Sequence, residues 1–168
     1  MYKIKKAIVR TSLLALGTAF EIVSKRDRDL RAEIGEWEEG RVFSLAVLPD
    51  GPAIVLKNES GRIRCLGSRP HDSQPRILFK NMDCAFMPLT GLMSADMAFV
   101  QHRAILEGNV GAGMEVARAI AIVQNYLLPG FMLKRVCKRV PRFTPGQMLL
   151  KIWVLAALLP RMAANLGK

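Results

Sequence analysis

The sequence predicts an α+β fold: a five-stranded, largely antiparallel sheet with helices covering one face, flanked by amino- and carboxyl-terminal helices. Three observations predict it. Between Arg41 and Lys80, apolar residues recur at every second position in short runs separated by turn residues. On either side of that region, apolar spacing lengthens to a helical period. The chain has 168 residues, 51% of them hydrophobic, enough to bury one core and carry extensions.

Taken in order, residues 2–24 have helical spacing, with Ile8, Leu16, Phe20 and Val23 near one side and Lys3, Lys6 and Arg10 near another. The segment imitates a signal peptide, but Arg10 interrupts its apolar run and Glu21 follows closely, so a retained amphipathic helix is expected. "SKRDRDLRAEIGEWEEG" reads as a charged, exposed connection. In "RVFSLAVL", Phe43, Leu45 and Val47 alternate with smaller partners, as in a half-buried strand. Pro49-Asp50-Gly51-Pro52 is a turn, "AIVLK" a second strand, Asn58 to Gly61 another turn, and "RIRCLG" a third strand with Ile63 and Cys65 inward. Short connections of this kind imply an antiparallel meander. A loop, "SRPHDSQP", leads to a fourth strand, "RILFK". Two short helices follow, broken at Pro88 and Gly91, with Ser94 capping the second. Ala104 to Glu107 is a fifth strand, and a helix runs from about Gly111 to Leu128, where Pro129-Gly130 ends it. The expected organisation is therefore residues 1–39, an amphipathic helix and charged connection; 40–130, the α+β domain; and 131–168, basic and apolar helices.

The formal charge of +11 is unevenly placed. No acid follows Glu115, whereas nine Lys and Arg do, and the first twenty residues hold four bases and no acid. An anionic partner, a membrane surface or nucleic acid, would suit such ends. Tyr2, Trp37, Tyr126 and Trp153 do not interleave with the basic clusters as stacking platforms should, which weighs against nucleic acid. Cys65, Cys84 and Cys137 are odd in number and widely spaced, and are read as reduced thiols.

Catalytic patterns fail on inspection. Gly108, Gly111 and Gly113 run G-x-x-G-x-G, the reverse of dinucleotide spacing, with no Lys-Ser or Lys-Thr after them and no acid twenty positions on. Glu115 would repel a phosphate there. Ser94, Asp96 and His102 share one short helical stretch, with Asp96 and His102 on nearly opposite sides, and lack a nucleophile elbow. His71 and His102 alone cannot build a metal site. No enzyme, cofactor or metal is expected.

The informative feature is apolar excess. After Gly113 the helix keeps Glu115, Arg118 and Asn125 in one narrow arc, with apolar residues around nearly all the rest and only Gln124 interrupting. A helix packed on one core needs a stripe of about 100°. This one should touch two apolar environments, either core on both sides or core and a ligand cavity.

The series of three strands, loop, strand, two short helices, strand and long helix resembles the sterol carrier protein type-two family in its bacterial single-domain form. "PDGPAIVLKNESGRIRCLG" and "GLMSADMAFVQHRAILEGNVGAGMEVARAI" carry the likeness, which covers roughly residues 40 to 128. It implies an apolar tunnel for a lipid, whether acyl chain, isoprenoid or sterol, and no catalytic residues. A variant role implied by related architecture is that of an accessory factor in ubiquinone synthesis. Tunnel lining is expected from Phe86, Met87, Leu92, Met97, Met114, Ala117, Ile120 and Ala121.

Residues 148–159 are apolar except for Lys151, about 18 Å as a helix and too short to span a bilayer. Trp153 suits an interfacial position, and Lys134, Arg135, Lys138 and Arg139 would meet anionic headgroups. The expectation is a cytoplasmic protein, peripheral on the membrane, that transfers or presents lipid, alone or with protein partners in a lipid pathway.

Overall fold

In a computed structural model, which describes residues 2–68, 73–130, 132–133 and 144–165, the alternating runs form five strands. These are β1 (Val42–Val47), β2 (Ala53–Glu59), β3 (Arg62–Gly67), β4 (Arg76–Phe79) and β5 (Ala104–Glu107). The helices are α1 (Tyr2–Val23), α2 (Arg28–Gly35), α3 (Met82–Leu89), α4 (Ala95–Val100), α5 (Val110–Leu127) and α6 (Pro145–Asn165). The sheet order is β3-β2-β1-β4-β5.

The hairpin from β2 to β3 turns on Ser60 (φ 53°) and Gly61 (φ 71°). Two successive left-handed residues match the right-handed twist of the flanking strands. Three neighbouring pairs are antiparallel, but β1 and β4 run parallel, with Leu45 opposite Ile77 and Val47 opposite Phe79. The meander therefore stops at β3, and β4 returns on the far side of β1. Its entry is set by Gln74, whose N–H donates to the Val42 carbonyl, and by the Ser44 N–H, which donates to that of Pro75.

Register places Phe43, Leu45, Ile54, Leu56, Ile63, Cys65, Ile77, Phe79 and Ala104 on one buried face. Arg62, Arg64, Arg76 and Glu107 point the other way and are exposed. Asn58 is buried at the end of β2, with its side-chain N–H donating to the Glu38 carbonyl at 3.1 Å.

Helix α1 covers β2 and β3. Its close approach depends on Gly17, where a Cβ would overlap the Ile54 side chain and lie 3.2 Å from the Cys65 Sγ. Phe20 meets Phe43 edge to face at 5.9 Å. The helix also satisfies the free edge of β3: the Ile63 N–H donates to Ser24 Oγ at 3.1 Å and the Cys65 N–H to Glu21 Oε1 at 2.8 Å. An edge strand with its donors occupied is closed to further strand pairing.

The charged stretch after α1 is a helix and not the exposed connection its composition implies. Leu30, Ile34 and Trp37 recur at helical spacing and are buried. Asp27 caps α2, its Oδ1 accepting from the Leu30 N–H at 2.8 Å. Its Oδ2 accepts from the buried Tyr126 hydroxyl of α5. Arg118 of α5 reaches Glu33 of α2, and Arg26 lies 4.0 Å from the ring centre of Trp153 in α6. The elbow between α1 and α2 thus joins both later helices.

Helix α5 is packed by α1 and α2, by α6, and by β5 and α4. This accounts for its wide apolar circumference. The glycines at its start have structural reasons. Gly108 turns at φ 104° to end β5. A Cβ at Gly113 would overlap both Leu106 methyls and lie 2.8 Å from its Cγ. The turn is a strand-to-helix connector.

Two stability measurements follow from this packing. Gly113→Ala is expected to cost about 1–3 kcal/mol in denaturant unfolding, whereas Gly35→Ala, which meets no atom within 4 Å, should be neutral or stabilising by up to ~1 kcal/mol. Burial, then the bond to Asp27, raises the Tyr126 hydroxyl well above its ordinary value. The folded state thus keeps a proton that the unfolded chain releases above pH ~10. Its contribution is complete below that pH and falls as pH rises. Tyr126→Phe should cost about 1–3 kcal/mol at neutral pH and lose the corresponding alkaline component of the stability–pH curve.

Candidate functional site

The inner face of the sheet is covered unequally. Over β2 and β3 lies the long α1. Over β1, β4 and β5 lie the short α3 and α4 and one side of α5, and these present alanines among larger apolar side chains. Between them is an enclosed slot lined by Leu45, Ile77, Phe79 and Ala104 of the sheet, Pro88 and Leu89 of α3, Ala95, Ala98 and Phe99 of α4, and Ala117, Ile120 and Gln124 of α5. Its volume is about 20 Å³, room for about one water. The expected tunnel is therefore a closed slot in this structure. Apolar side chains have settled together where the alanines leave least to fill.

The slot's one polar lining side chain is Gln124, buried, with Nε2 donating to the Pro88 carbonyl at 3.4 Å. This bond ties the end of α3 to α5. Helix α4 lies between two left-handed residues, Gly91 (φ 73°) and His102 (φ 53°), and Ser94 caps it by accepting from the Met97 N–H at 3.3 Å. Its buried apolar contribution is Ala98, with Phe99 partly buried beside it.

Of the eight residues expected to line a tunnel, Ala117 and Ile120 do line the slot. Phe86 packs partly buried against the core from α3, and Met87 is half-buried. Leu92, Met97, Met114 and Ala121 are exposed. Met114 and Ala121 share the helix stripe of Ala117, so that stripe runs from the slot to the surface. The surplus of apolar residues here is outward as well as inward. Leu45, Ile77, Phe79, Ala98 and Gln124 were not singled out by sequence, because a strand residue facing a cavity has the same alternation as one facing a filled core. Gln124 did carry a signal, as the lone polar residue on an apolar arc.

Ser94, Asp96 and His102 do not converge: the serine hydroxyl is engaged as a helix cap, and Asp96 and His102 are exposed. Among the described residues no group of three His, Cys, Asp or Glu could hold a metal ion. Trp37 and Tyr126 are buried in the core and unavailable for base stacking.

Among the expected membrane contacts, Lys134, Arg135, Lys138 and Arg139 lie outside the described residues. Trp153 is turned onto the domain beneath Arg26. Lys151 is also turned inward, its Nζ donating to the Asn125 carbonyl at 2.8 Å and that of Leu128 at 2.7 Å. Burial lowers its ammonium below the ordinary lysine value, and it caps the carboxyl end of α5. No single described helix is long and apolar enough to cross a membrane.

Solved structures similar to this chain include the following two. One, a UbiJ-SCP2 ubiquinone synthesis protein, shares 13% identity over 70% of this chain and 97% of its own, with a TM-score of 0.46. The other, a conserved protein of Thermus thermophilus described as a candidate sterol carrier, shares 19% identity over 65% of this chain and 85% of its own, with a TM-score of 0.45. No family model matches the sequence, and no curated protein matches it.

Proposed function

We propose that this protein is a non-catalytic lipid carrier that takes an apolar chain, acyl or isoprenoid, into the slot between the sheet and α4, and works as a peripheral protein on the cytoplasmic face of an anionic membrane. The observation that carries the reading is the slot itself: twelve lining residues, eleven of them without a polar side chain, beneath a six-residue helix. The resemblance of residues 40–128 to sterol carrier domains supports it, and with it the variant role in ubiquinone synthesis.

Magnitudes decide whether a closed slot can open. Lifting α4 exposes Phe99 and Ala98, a cost of roughly 2–4 kcal/mol on the scale for burying such side chains. It also uncovers the sheet and α5 residues opposite, which the guest covers again. A guest burying about ten methylenes gains ~8 kcal/mol. The guest wins, so the empty protein closes and the loaded one stays open. Gln124 is placed to accept or donate one hydrogen bond to a polar terminus once its bond to Pro88 is released.

Ala117→Phe fills the slot from its α5 wall. Binding of cis-parinaric acid, followed by fluorescence, should weaken by at least roughly tenfold, a difference of ~1.4 kcal/mol, while circular dichroism is unchanged. Native mass spectrometry of the wild-type chain should show a co-purified lipid that Ala117→Phe lacks. Unaltered probe affinity in this variant would refute the slot as the binding site.

A further inference from the structure

Helix α6 presents apolar residues on two sides. Leu150 and Val154 are buried against the domain, with Trp153, Ala157 and Leu158 partly buried beside them. On the outer side Met148, Leu149, Ile152 and Leu155 are 50%, 69%, 63% and 46% exposed. The one charge between Met148 and Leu158, on Lys151, is turned inward to the end of α5. The outer face is thereby uninterrupted by charge for two turns or more.

Its electrical setting selects the occupant. The chain carries no acid after Glu115, and Lys134, Arg135, Lys138, Arg139 and Arg142 precede α6 in sequence. Along its near edge a groove lined by Leu149, Ile152 and Ala156 is walled opposite by Arg26 and Arg28 and by Asp27 and Asp29. The first aspartate is bonded by Tyr126 and Leu30 and the second by Gln147, so the positive excess comes from the basic sequence before α6 and not from the groove. A second copy of the chain is a poor occupant. It would bring together two molecules of net charge +11, which repel. An anionic lipid surface offers the opposite charge and an apolar layer of matching depth.

We infer, building on the carrier role proposed above, that the outer face of α6 seats in the headgroup–acyl boundary of an anionic bilayer through Met148, Leu149, Ile152 and Leu155, with Trp153 and Lys151 serving to hold the helix on the domain. The membrane contact is then a helix lying in the interface plane, attached to the same core that forms the slot.

The test is flotation of the full chain with vesicles of phosphatidylglycerol and phosphatidylcholine, alongside vesicles of phosphatidylcholine alone. Wild type should float with the anionic vesicles and far less with the neutral ones. Leu149→Glu and Ile152→Glu, both at exposed positions, should each reduce the floated fraction at least roughly tenfold, while cis-parinaric acid binding in solution matches wild type. Undiminished flotation of both variants would overturn the docking face and leave the carrier role standing. A wild-type dimer split by these substitutions, with no flotation, would assign the face to self-association instead. Loss of flotation in the variants, in a chain that never binds parinarate, would uphold the face and refute the carrier.

Discussion

The architecture rests on one requirement: a twisted sheet whose inner face is apolar but for Asn58 at the end of β2 must be covered. The chain meets it with covers of different quality. Helix α1 lies over β2 and β3 and against α3, α5 and α6, and buries large side chains, Leu13, Leu16, Phe20 and Val23 among them. Over β1, β4 and β5 the cover is shorter. Under α1 the core is conventional and extends to β1, whose Phe43 meets Phe20 and Trp37 edge to face. The other side mixes alanines with Leu45, Ile77, Phe79, Phe99 and Ile120 and leaves a slot of about 20 Å³. The rest of the molecule keeps the α1 side firm, as the proposed opening of the other side at α4 requires.

The node around Asp27 serves that purpose. One carboxylate caps α2 and receives the Tyr126 hydroxyl, so the elbow after α1 is fixed to the carboxyl end of α5. The same elbow holds α6 through Arg26 and Trp153, and Lys151 returns the tie from α6 to the last carbonyls of α5. Four helices are coupled on the side away from α4. Movement of α4 between Gly91 and His102 therefore need not disturb them.

Much of the fold is legible in sequence because its signals are local. All five strands lie where the short apolar runs place them, and the turn at Pro49–Pro52 falls between β1 and β2. The turn expected from Asn58 to Gly61 is narrower, because β2 runs on through Glu59 and Ser60 and Gly61 alone make the reversal. The parallel pairing of β1 and β4 is not local. Nothing in "RILFK" says which neighbour it joins, and the deciding bonds come from loop atoms at Gln74 and Pro75. Helix α2 was hidden by charge, although Asp27 as cap with Leu30, Ile34 and Trp37 behind it is a helical signature. The site was half legible. Ala117 and Ile120 stand on an arc that sequence marks as doubly apolar, but whether Met97 or Met114 turns toward the slot or the solvent depends on how α4 and α5 are rotated on the sheet. Trp153 illustrates the same limit: an aromatic beside bases fits an interface, yet a nearby guanidinium on the elbow turned it inward.

The edge bonds from Ser24 and Glu21 to β3 have a consequence in time. During synthesis α1 emerges first, and the strand whose edge it closes follows some forty residues later, a delay of a few seconds at ordinary translation rates. Throughout that interval its greasy stripe, preceded by lysines, has no sheet to rest on. Completion of the β2–β3 hairpin gives that stripe its first cover, so the order of synthesis leaves α1 waiting for the strands it closes.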